Sequence, residues 1–175
     1  MKPLGGTDMK RLHREWRRKL DHRLDLVLDD VTSPFNVGAI IRTAAAYRVE
    51  HLWLGGATPD PASAKVGKTA LGTERYVRWS HHPDGATAVT GAQAGGLRVV
   101  GLELVEEAQP RFHVDLAGDV ALVVGHEDRG VRRATLEACD EIAYLPQAGR
   151  VGSLNVAAAA AIACWEARRQ QWQLD

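Results

Sequence analysis

The chain has 175 residues, and its 22 lysines and arginines are balanced by 22 aspartates and glutamates. This length fits a single domain with a sizeable core, and the neutral balance carries no information about partners. Its two cysteines lack ligand spacing, which argues against a zinc site or a disulfide framework. No segment has the layout of a signal peptide or the length to span a bilayer. We therefore expect a cytoplasmic protein without a metal or a membrane contact.

The first 23 residues are basic although the whole chain is neutral. Four arginines in this leader recur at spacings of three and four residues, so they form a stripe if the segment is helical: Arg11, Arg14, Arg17 and Arg18. A basic leader on a neutral domain suggests contact with a polyanion. The alternative is a solvated helix face. We interpret residues 1–23 as a helical basic extension and residues 24–175 as the main domain.

Strand and helix patterns alternate along the main domain. Strands are predicted at Leu24–Leu28, His51–Leu54, Tyr76–Trp79, Leu97–Leu104, Val120–Val124 and Glu141–Leu145. Helices are predicted at Asn36–Tyr47, Gly85–Gln93, Val131–Ala138 and Ser153–Gln171. The Pro- and Gly-rich stretch Ala57–Thr73 predicts a long loop, either without regular structure or with one helical turn. The alternation predicts an α/β fold with a mainly parallel sheet flanked by helices.

Two common phosphate-binding motifs are missing. The dinucleotide pattern G-x-G-x-x-G is absent after the first predicted strand, which argues against a nicotinamide enzyme. Gly67-Lys68-Thr69 resembles the end of a P-loop, but Ala62 stands where that motif requires glycine. The sequence therefore argues against a nucleoside triphosphatase.

Polar clusters follow three predicted strands at positions where loops of a parallel sheet converge. The first cluster contains Asn36, which can cap the following helix, and Arg42, which we place on the inward side of that helix. An inward arginine in an apolar helix requires a partner. The structural alternative for this cluster is a helix cap with a salt bridge.

The other two clusters supply further candidate side chains. Glu127 lies between Gly125 and Gly130, after a strand that is apolar throughout. It can bind a ligand loop or simply complement a helix dipole. Ser153 and Asn155 stand where an alanine-rich helix begins. Ser153 is explained as a cap, whereas an amide at Asn155 requires a specific partner.

Together these residues resemble the three motifs of the SPOUT superfamily of RNA methyltransferases, and most closely its TrmH branch of ribose 2′-O-methyltransferases. The segments that carry the resemblance are Asn36–Ala44, Val123–Val131, and Leu145–Gly149 with Ser153–Ala157. They occur in the same order and spacing, and the resemblance covers roughly residues 24–170. Two positions depart from the usual pattern, His126 and Ala157.

The resemblance implies a domain whose C-terminal segment forms a deep trefoil knot that holds S-adenosylmethionine. The residues that it places around the cofactor are Leu102, Gly125, Gly130, Leu145, Pro146 and Leu154. It assigns catalysis to Asn36, Arg42, Glu127, Ser153 and Asn155. In this assignment Glu127 anchors Asn36, Arg42 or the ligand loop, and Ser153 and Asn155 position the ribose. It also implies a homodimer through the C-terminal helix, on which Trp165 and Trp172 are seven residues apart. The leader arginines would then bind RNA.

The substrate is less well defined by the resemblance. The leader and the segment from Lys68 to Tyr76 resemble members that act on guanosine 18 of transfer RNA, and no separate N-terminal RNA-binding domain is expected. A ribosomal RNA nucleotide or a wobble ribose is the alternative substrate. Two rival functions are a catalytically silent RNA-binding module and a flavodoxin-like small-molecule binder.

Overall fold

A computed structural model describes residues 1–172, so the last three residues of the predicted main domain lie outside the described part. The helices are α1 (Gly6–Arg17), α2 (Pro34–Ala46), α3 (Ala64–Ala70), α4 (Gly85–Ala94), α5 (Arg133–Ala138) and α6 (Val156–Gln171). The strands are β1 (Leu24–Asp29), β2 (His51–Gly55), β3 (Arg78–His82), β4 (Arg98–Leu102), β5 (Gln109–Pro110), β6 (Val120–Gly125) and β7 (Glu141–Tyr144). Short 3₁₀ helices cover Thr73–Tyr76 and Arg111–His113.

The strands form a seven-stranded sheet in the order β3-β2-β1-β6-β4-β7-β5. All pairings are parallel, which confirms the predicted α/β class. At its carboxyl end β1 places Asp29 between Gly55 of β2 and Gly125 of β6. The chain adds β2 and β3 on one side of β1 and the later strands on the other, so the order of the strands reverses beside β1. Open α/β sheets bind ligands near such a switch point.

Helices cover both faces of the sheet and bury two apolar layers. Leu24, Leu26 and Leu28 of β1 face the layer beneath α2, α3 and α6, whereas Val27 faces the layer beneath α4 and α5. Strands buried on both faces carry almost continuous apolar runs, as β6 does here. The described residues contain no helix that is long and apolar enough to cross a membrane.

The start of α2 differs from the prediction that Asn36 caps it. The helix begins at Pro34, and the Ser33 side chain accepts a hydrogen bond from the Asn36 backbone N–H. Serine before a proline is a strong signal for the start of a helix. The serine side chain caps the helix, and proline loses nothing by lacking an N–H in the first turn, where that group has no partner within the helix. Because Ser33 caps α2, the Asn36 side chain is free to bind elsewhere.

Three other boundaries were predicted wrongly. The predicted loop at residues 57–73 contains more than the one helical turn considered for it: α3 has 7 residues, because Ser63 caps it and Val66 and Ala70 are buried. The third strand begins at Arg78, since Tyr76 lies in a 3₁₀ helix. The last helix begins at Val156 and not at Ser153, because Asn155 is its cap.

Arg168 of α6 connects three parts of the chain from a position with 1% of its surface exposed. Its guanidinium donates to the backbone carbonyls of Tyr47 at 2.7 Å, Arg48 at 2.6 Å and His22 at 3.0 Å. Burial lowers the pKa of Arg168 to about 10, so it stays charged at neutral pH. Carbonyls at the end of α2 favour this cation. Arg168 thereby fixes α6 against α2 and the entry to β1.

The leader helix α1 lies on the surface and has no buried residues. Arg11, Arg14 and Arg17 lie within it, whereas Arg18 follows its last residue. All four side chains are exposed, and Arg11 forms an ion pair with Asp8 at 3.6 Å. The arginines therefore face solvent in an arrangement that a polyanion can reach.

Candidate active site

A cleft of about 300 Å³ opens at the carboxyl ends of β4, β6 and β7. Three loops surround it, and these loops carry the second and third sequence motifs and the segment after β4. Five of the six predicted cofactor residues line it: Leu102, Gly125, Gly130, Leu145 and Leu154. Pro146 is not among the lining residues, and it is exposed.

Glu127 fastens the loop after β6 to the start of α2. Its carboxylate accepts hydrogen bonds from the Ser33 backbone at 3.0 Å and from the Asn36 side chain at 2.9 Å. The backbone and hydroxyl of Thr32 donate to the same carboxylate at 3.2 and 3.3 Å. Glu127 therefore binds four donors from residues 32–36, of which Asn36 belongs to the first motif, and Arg42 is not among the donors.

These hydrogen bonds control the charge of Glu127. Partial burial acts to raise the pKa of this carboxyl, but the hydrogen bonds from Asn36 and from the backbone of Ser33 and Thr32 outweigh it. The net effect holds the pKa of Glu127 below its ordinary value. A carboxylate that remains ionised only accepts hydrogen bonds, so Glu127 is suited to holding the loops and not to donating a proton.

Asn36 extends the connection to the third motif. The Asn155 side chain donates from Nδ2 to Asn36 Oδ1 at 3.0 Å. Asn155 Oδ1 in turn accepts from the backbone N–H groups of Ala157 and Ala158, which begin α6. Because the carboxylate accepts at one end and the helix donates at the other, each amide has one orientation that satisfies the series. We call Glu127, Asn36 and Asn155 the amide chain.

The structure places the remaining predicted catalytic residues apart from the amide chain. Ser153 lines the cleft but is exposed and does not cap α6. Arg42 does not lie on the inward side of α2, so that prediction is wrong. The inward positions belong to residues such as Val37, Ile41 and Ala44, and Arg42 lies opposite them in solvent. Within residues 1–172 its guanidinium has no hydrogen-bond or ion-pair partner.

Asp30 is a site residue that the sequence did not reveal to us. It follows β1 with a positive φ of 61°, and its side chain is almost fully buried. The carboxylate accepts from the Ala57 backbone at 2.8 Å and binds Arg129 at 3.2 Å and Arg132. The Ala57 hydrogen bond, together with the two arginines, outweighs desolvation and lowers the pKa of Asp30. An acidic pair, Asp29-Asp30, at the end of an apolar strand was the available signal.

Glu103 holds the other side of the second motif. Its carboxylate accepts from the Val131 backbone at 2.8 Å and lies where a Gly130 side chain would be, 2.0 Å from an ideal Cβ. Gly130 also has a positive φ of 67°, which glycine adopts without strain. A side chain at Gly125 would meet the Gly130 backbone at 2.2 Å. The two glycines therefore permit the tight loop that lines the cleft.

His126, where the sequence departs from the expected pattern, lies in the lining of the cleft. Its Nδ1 accepts a hydrogen bond from the Asp128 backbone at 3.0 Å, so in the neutral ring Nε2 carries the proton. Among the described residues no group of three or more histidine, cysteine, aspartate or glutamate side chains is arranged to hold a metal ion.

The fold and the site define an α/β protein with a cleft at the carboxyl ends of three strands, β4, β6 and β7, of a parallel sheet. The sequence profile of the SpoU rRNA Methylase family matches residues 23–165. The chain belongs to this family, which confirms the resemblance found in the motifs.

Curated and solved relatives agree with this assignment. The chain is 38% identical over 152 residues to a 23S rRNA (guanosine-2′-O-)-methyltransferase of Acinetobacter baylyi, covering 86% of this chain and 61% of that protein. An AdoMet-bound rRNA methyltransferase from Sinorhizobium meliloti superposes with a TM-score of 0.78 at 31% identity, covering 84% of this chain and 56% of the other. A TrmH/SpoU tRNA modifying enzyme of A. aeolicus gives 0.77 at 27% identity, with coverages of 94% and 84%. The chain thus spans about three fifths of the first curated relative.

The amide chain makes a prediction about stability. Replacing Asn36 and Asn155 by alanine, singly and together, should give a coupling free energy of about 1 kcal/mol, because the first substitution already removes their shared hydrogen bond. Urea unfolding of wild type, the two single variants and the double variant measures this coupling. Every protein with Asn155→Ala loses the α6 cap, so the free energy of the cap cancels in the cycle.

A second cycle between Asn36 and Ser153 is the matched control, since no hydrogen bond joins these two side chains within residues 1–172. We expect its coupling to stay within about 0.5 kcal/mol. Equal couplings in the two cycles would contradict the amide chain as drawn.

Proposed function

We propose that the protein is an S-adenosylmethionine-dependent RNA ribose 2′-O-methyltransferase. The observation that carries this proposal is the amide chain, which joins the three motifs beside the cleft through Glu127, Asn36 and Asn155. Family membership supports the reaction class. The relatives named as guanosine 2′-O-methyltransferases and the AdoMet-bound neighbour support the substrate atom and the cofactor.

The residues of the cleft fit S-adenosylmethionine. Aliphatic side chains of Leu102, Leu145 and Leu154 offer apolar surface for an adenine ring, and the glycine loop exposes backbone groups for its polar edges. The carboxylates of Glu103 and Asp128 favour a cationic ligand. When bound, the cofactor supplies a methyl group attached to a positively charged sulfur. Backbone recognition of this kind needs no dinucleotide-binding glycine motif.

Arg42 is suited to the chemistry because its guanidinium is exposed and unpaired within the described residues. A ribose 2′-hydroxyl is a weak nucleophile, and a fixed cation stabilises the charge that develops on its oxygen. Arginine keeps its proton in proteins, so we assign Arg42 to stabilising this oxygen and holding the adjacent phosphate. Asn36, Ser153 and Asn155 orient the ribose, and Glu127 holds them in place. Alignment of the reacting atoms supplies much of the acceleration.

For the substrate we propose a guanosine of transfer RNA, with position 18 as the first nucleotide to examine. The similarity to the A. aeolicus tRNA modifying enzyme supports a transfer RNA. The A. baylyi relative acts on 23S rRNA, so a guanosine of ribosomal RNA is the second candidate. Both candidates present the same chemical group to the site.

Methyl transfer from labelled S-adenosylmethionine to purified transfer RNA and ribosomal RNA tests the proposal. Incorporation into either RNA, with loss of label when the target ribose is 2′-deoxy, supports it. RNA binding without transfer identifies a silent RNA-binding module. Cofactor binding without RNA binding identifies a small-molecule binder.

We predict that Arg42→Ala abolishes transfer while cofactor affinity stays within about twofold. The physical reason is that Arg42 acts on the RNA oxygen and lies outside the cleft lining. Arg78→Ala is the matched control, because Arg78 is also an exposed arginine but lies on β3. Single-turnover rates measure the effect. Turnover above about a tenth of wild type, on the order of 1.4 kcal/mol in the barrier, would rule out the role.

We also propose the knot. The chain leaves β7 between β4 and β5 and returns so that α6 packs against α2 and β6. The segment before β6 contacts α6 as well, since the Leu116 backbone donates to Gln170 at 2.6 Å. These contacts support a threaded path for residues 145–155. An experimental electron density map of this segment tests the path.

We propose a homodimer through the outer face of α6. Ala158, Ile162 and Trp165 recur at helical spacing and are exposed, Trp165 by 45% of its surface. Trp172, predicted to share this face, contacts Trp165 with ring centroids 5.7 Å apart but also packs on Trp16 of the same chain at 5.0 Å. The free stripe is therefore shorter than the sequence suggested.

Light scattering at micromolar concentration should give the mass of a dimer. Ile162→Glu should shift the mass toward that of a monomer, because it places a charge in an apolar contact. Phe112→Glu, on another exposed aromatic residue, should leave the dimer intact. A monomeric wild-type mass would contradict the proposed dimer.

We further propose that the leader arginines bind the RNA backbone. Phosphate contacts release counterions, so RNA affinity should fall steeply with salt. Replacing Arg11, Arg14, Arg17 and Arg18 together by glutamine should weaken RNA binding and flatten that dependence, with cofactor affinity unchanged. Titrations at several salt concentrations measure both. A wild-type affinity and salt slope in this variant would show that the stripe is only a solvated face.

A further inference from the structure

A second cavity, of about 760 Å³, lies at the end of α2 away from the cleft. It is bounded by α1, by the carboxyl end of α2 and by the residue that ends α6. Four aromatic side chains line it, and we call it the aromatic groove: Trp16, Tyr47, Tyr76 and Trp172. α2 has 13 residues and so separates the groove from the cleft by about 20 Å.

Most rings of the groove are held by other rings. Trp172 contacts Trp16 and Trp165 with centroid distances of 5.0 and 5.7 Å, and Trp165 contacts Tyr47 at 6.2 Å. The Trp172 indole nitrogen is buried and has no acceptor within residues 1–172. A buried donor of this kind is normally satisfied, so this unpaired group is an exception in the structure.

Tyr76 is placed differently from the other rings. The Arg75 guanidinium lies 4.8 Å from its ring centroid, and Arg75 donates to its hydroxyl at 2.8 Å. The side chain is 64% exposed while it lines the groove. One face of Tyr76 is therefore supported by a cation, and the ring remains open to a planar partner.

The charge of the groove has one sign. Its lining includes His13, Arg17 and Arg48 but no aspartate or glutamate among the described residues. Lys19 adds a cation 4.3 Å from the Trp16 ring centroid. An apolar protein surface would match the rings of the groove but not its cations. A single nucleic acid strand matches both, because its planar bases stack on rings and its phosphates pair with cations. Aromatic platforms with cations alongside are the common design for binding unpaired nucleotides.

The groove is also joined to the proposed catalytic arginine. Ala46 lines the groove, and Arg42 lies four residues earlier, one turn along the same exposed face of α2. An RNA strand held at Arg42 therefore reaches the groove without crossing the core. The α6 stripe Ala158, Ile162 and Trp165 is not part of the groove lining and stays available to a second copy.

We propose that the aromatic groove binds unpaired nucleotides of the substrate RNA next to the methylated ribose. A base stacks on Tyr76, and the phosphates lie near Arg17 and Arg48. The identity of the ligand as RNA rests on the proposed function, but the groove is a binding site distinct from the cleft. It selects targets that are single-stranded on one side of the modified nucleotide.

The test is fluorescence anisotropy of a labelled single-stranded RNA of about ten nucleotides, without cofactor, beside a duplex of the same sequence. Tyr76→Ala should weaken single-strand binding about 5- to 150-fold, the range for loss of one stacked base. Tyr76→Phe keeps the ring and should stay within about twofold of wild type. The duplex should bind equally well to all of these proteins.

Phe112→Ala is the matched control, because Phe112 is 66% exposed, about the same as Tyr76 at 64%, and lies outside the groove. It should bind the single strand like wild type. Trp16→Ala is the second variant, on a helix without buried residues, and should weaken single-strand binding at least fivefold. Thermal unfolding establishes that each variant is folded.

Equal single-strand affinity for Tyr76→Ala and Phe112→Ala, together with wild-type affinity for Trp16→Ala, would overturn the proposal. The proposal would also be overturned if the groove variants changed the mass measured by light scattering but bound RNA like wild type. The groove would then be a contact between protein copies. Because binding is measured without cofactor, a failure of methyl transfer leaves the result interpretable. Conversely, if the wild-type enzyme transfers methyl groups and these variants bind RNA like wild type, the groove proposal is rejected and the proposed function stands.

Discussion

The arrangement of the site depends on the amide chain. A carboxylate that is kept ionised at one end and the free N–H groups of a helix at the other impose one direction on the hydrogen bonds between them. Each amide is consequently locked, and a rotation of either would place donor against donor or acceptor against acceptor. Three loops from distant parts of the sequence thereby share a fixed geometry, which is what orientation-dependent catalysis requires.

Around the amide chain, two further carboxylates organise the loop after β6. Asp30 holds it through Arg129 and Arg132, and Glu103 holds it through the Val131 backbone. These contacts fix the loop from both sides while its glycines keep the inner surface free of side chains. Backbone N–H and C=O groups are then available to a ligand, so the cleft combines a rigid frame with an unobstructed interior.

The sequence predicted the parallel sheet and the members of the amide chain, because polar residues at the ends of apolar strands have few structural explanations. It left open whether Glu127 anchors Asn36, Arg42 or the ligand loop, and it did not predict the hydrogen bond between Asn36 and Asn155. The hydrogen bonds of Asn36 depend on where α2 begins, and the capping by Ser33 was overlooked. Arg42 was placed on the wrong side because it was assumed to share a face with Asn36. Six residues turn a helix by roughly 600°, which takes Arg42 well away from the face of Asn36. The full length of α3 was not predicted because its stability comes from packing on α2, where Gly38 admits the backbone of residue 66.

The sequence separation within the amide chain has a consequence for biosynthesis. Asn36 and Asn155 are 119 residues apart, and Asn155 is also the residue from which α6 starts. The third wall of the cleft thus forms only after residue 155 has left the ribosome. Non-local parallel pairing folds slowly, so an incomplete chain can populate a sheet that lacks the cleft. A ligand that binds only the completed cleft would stabilise the finished molecule over every truncated one and so act as a checkpoint for its own synthesis.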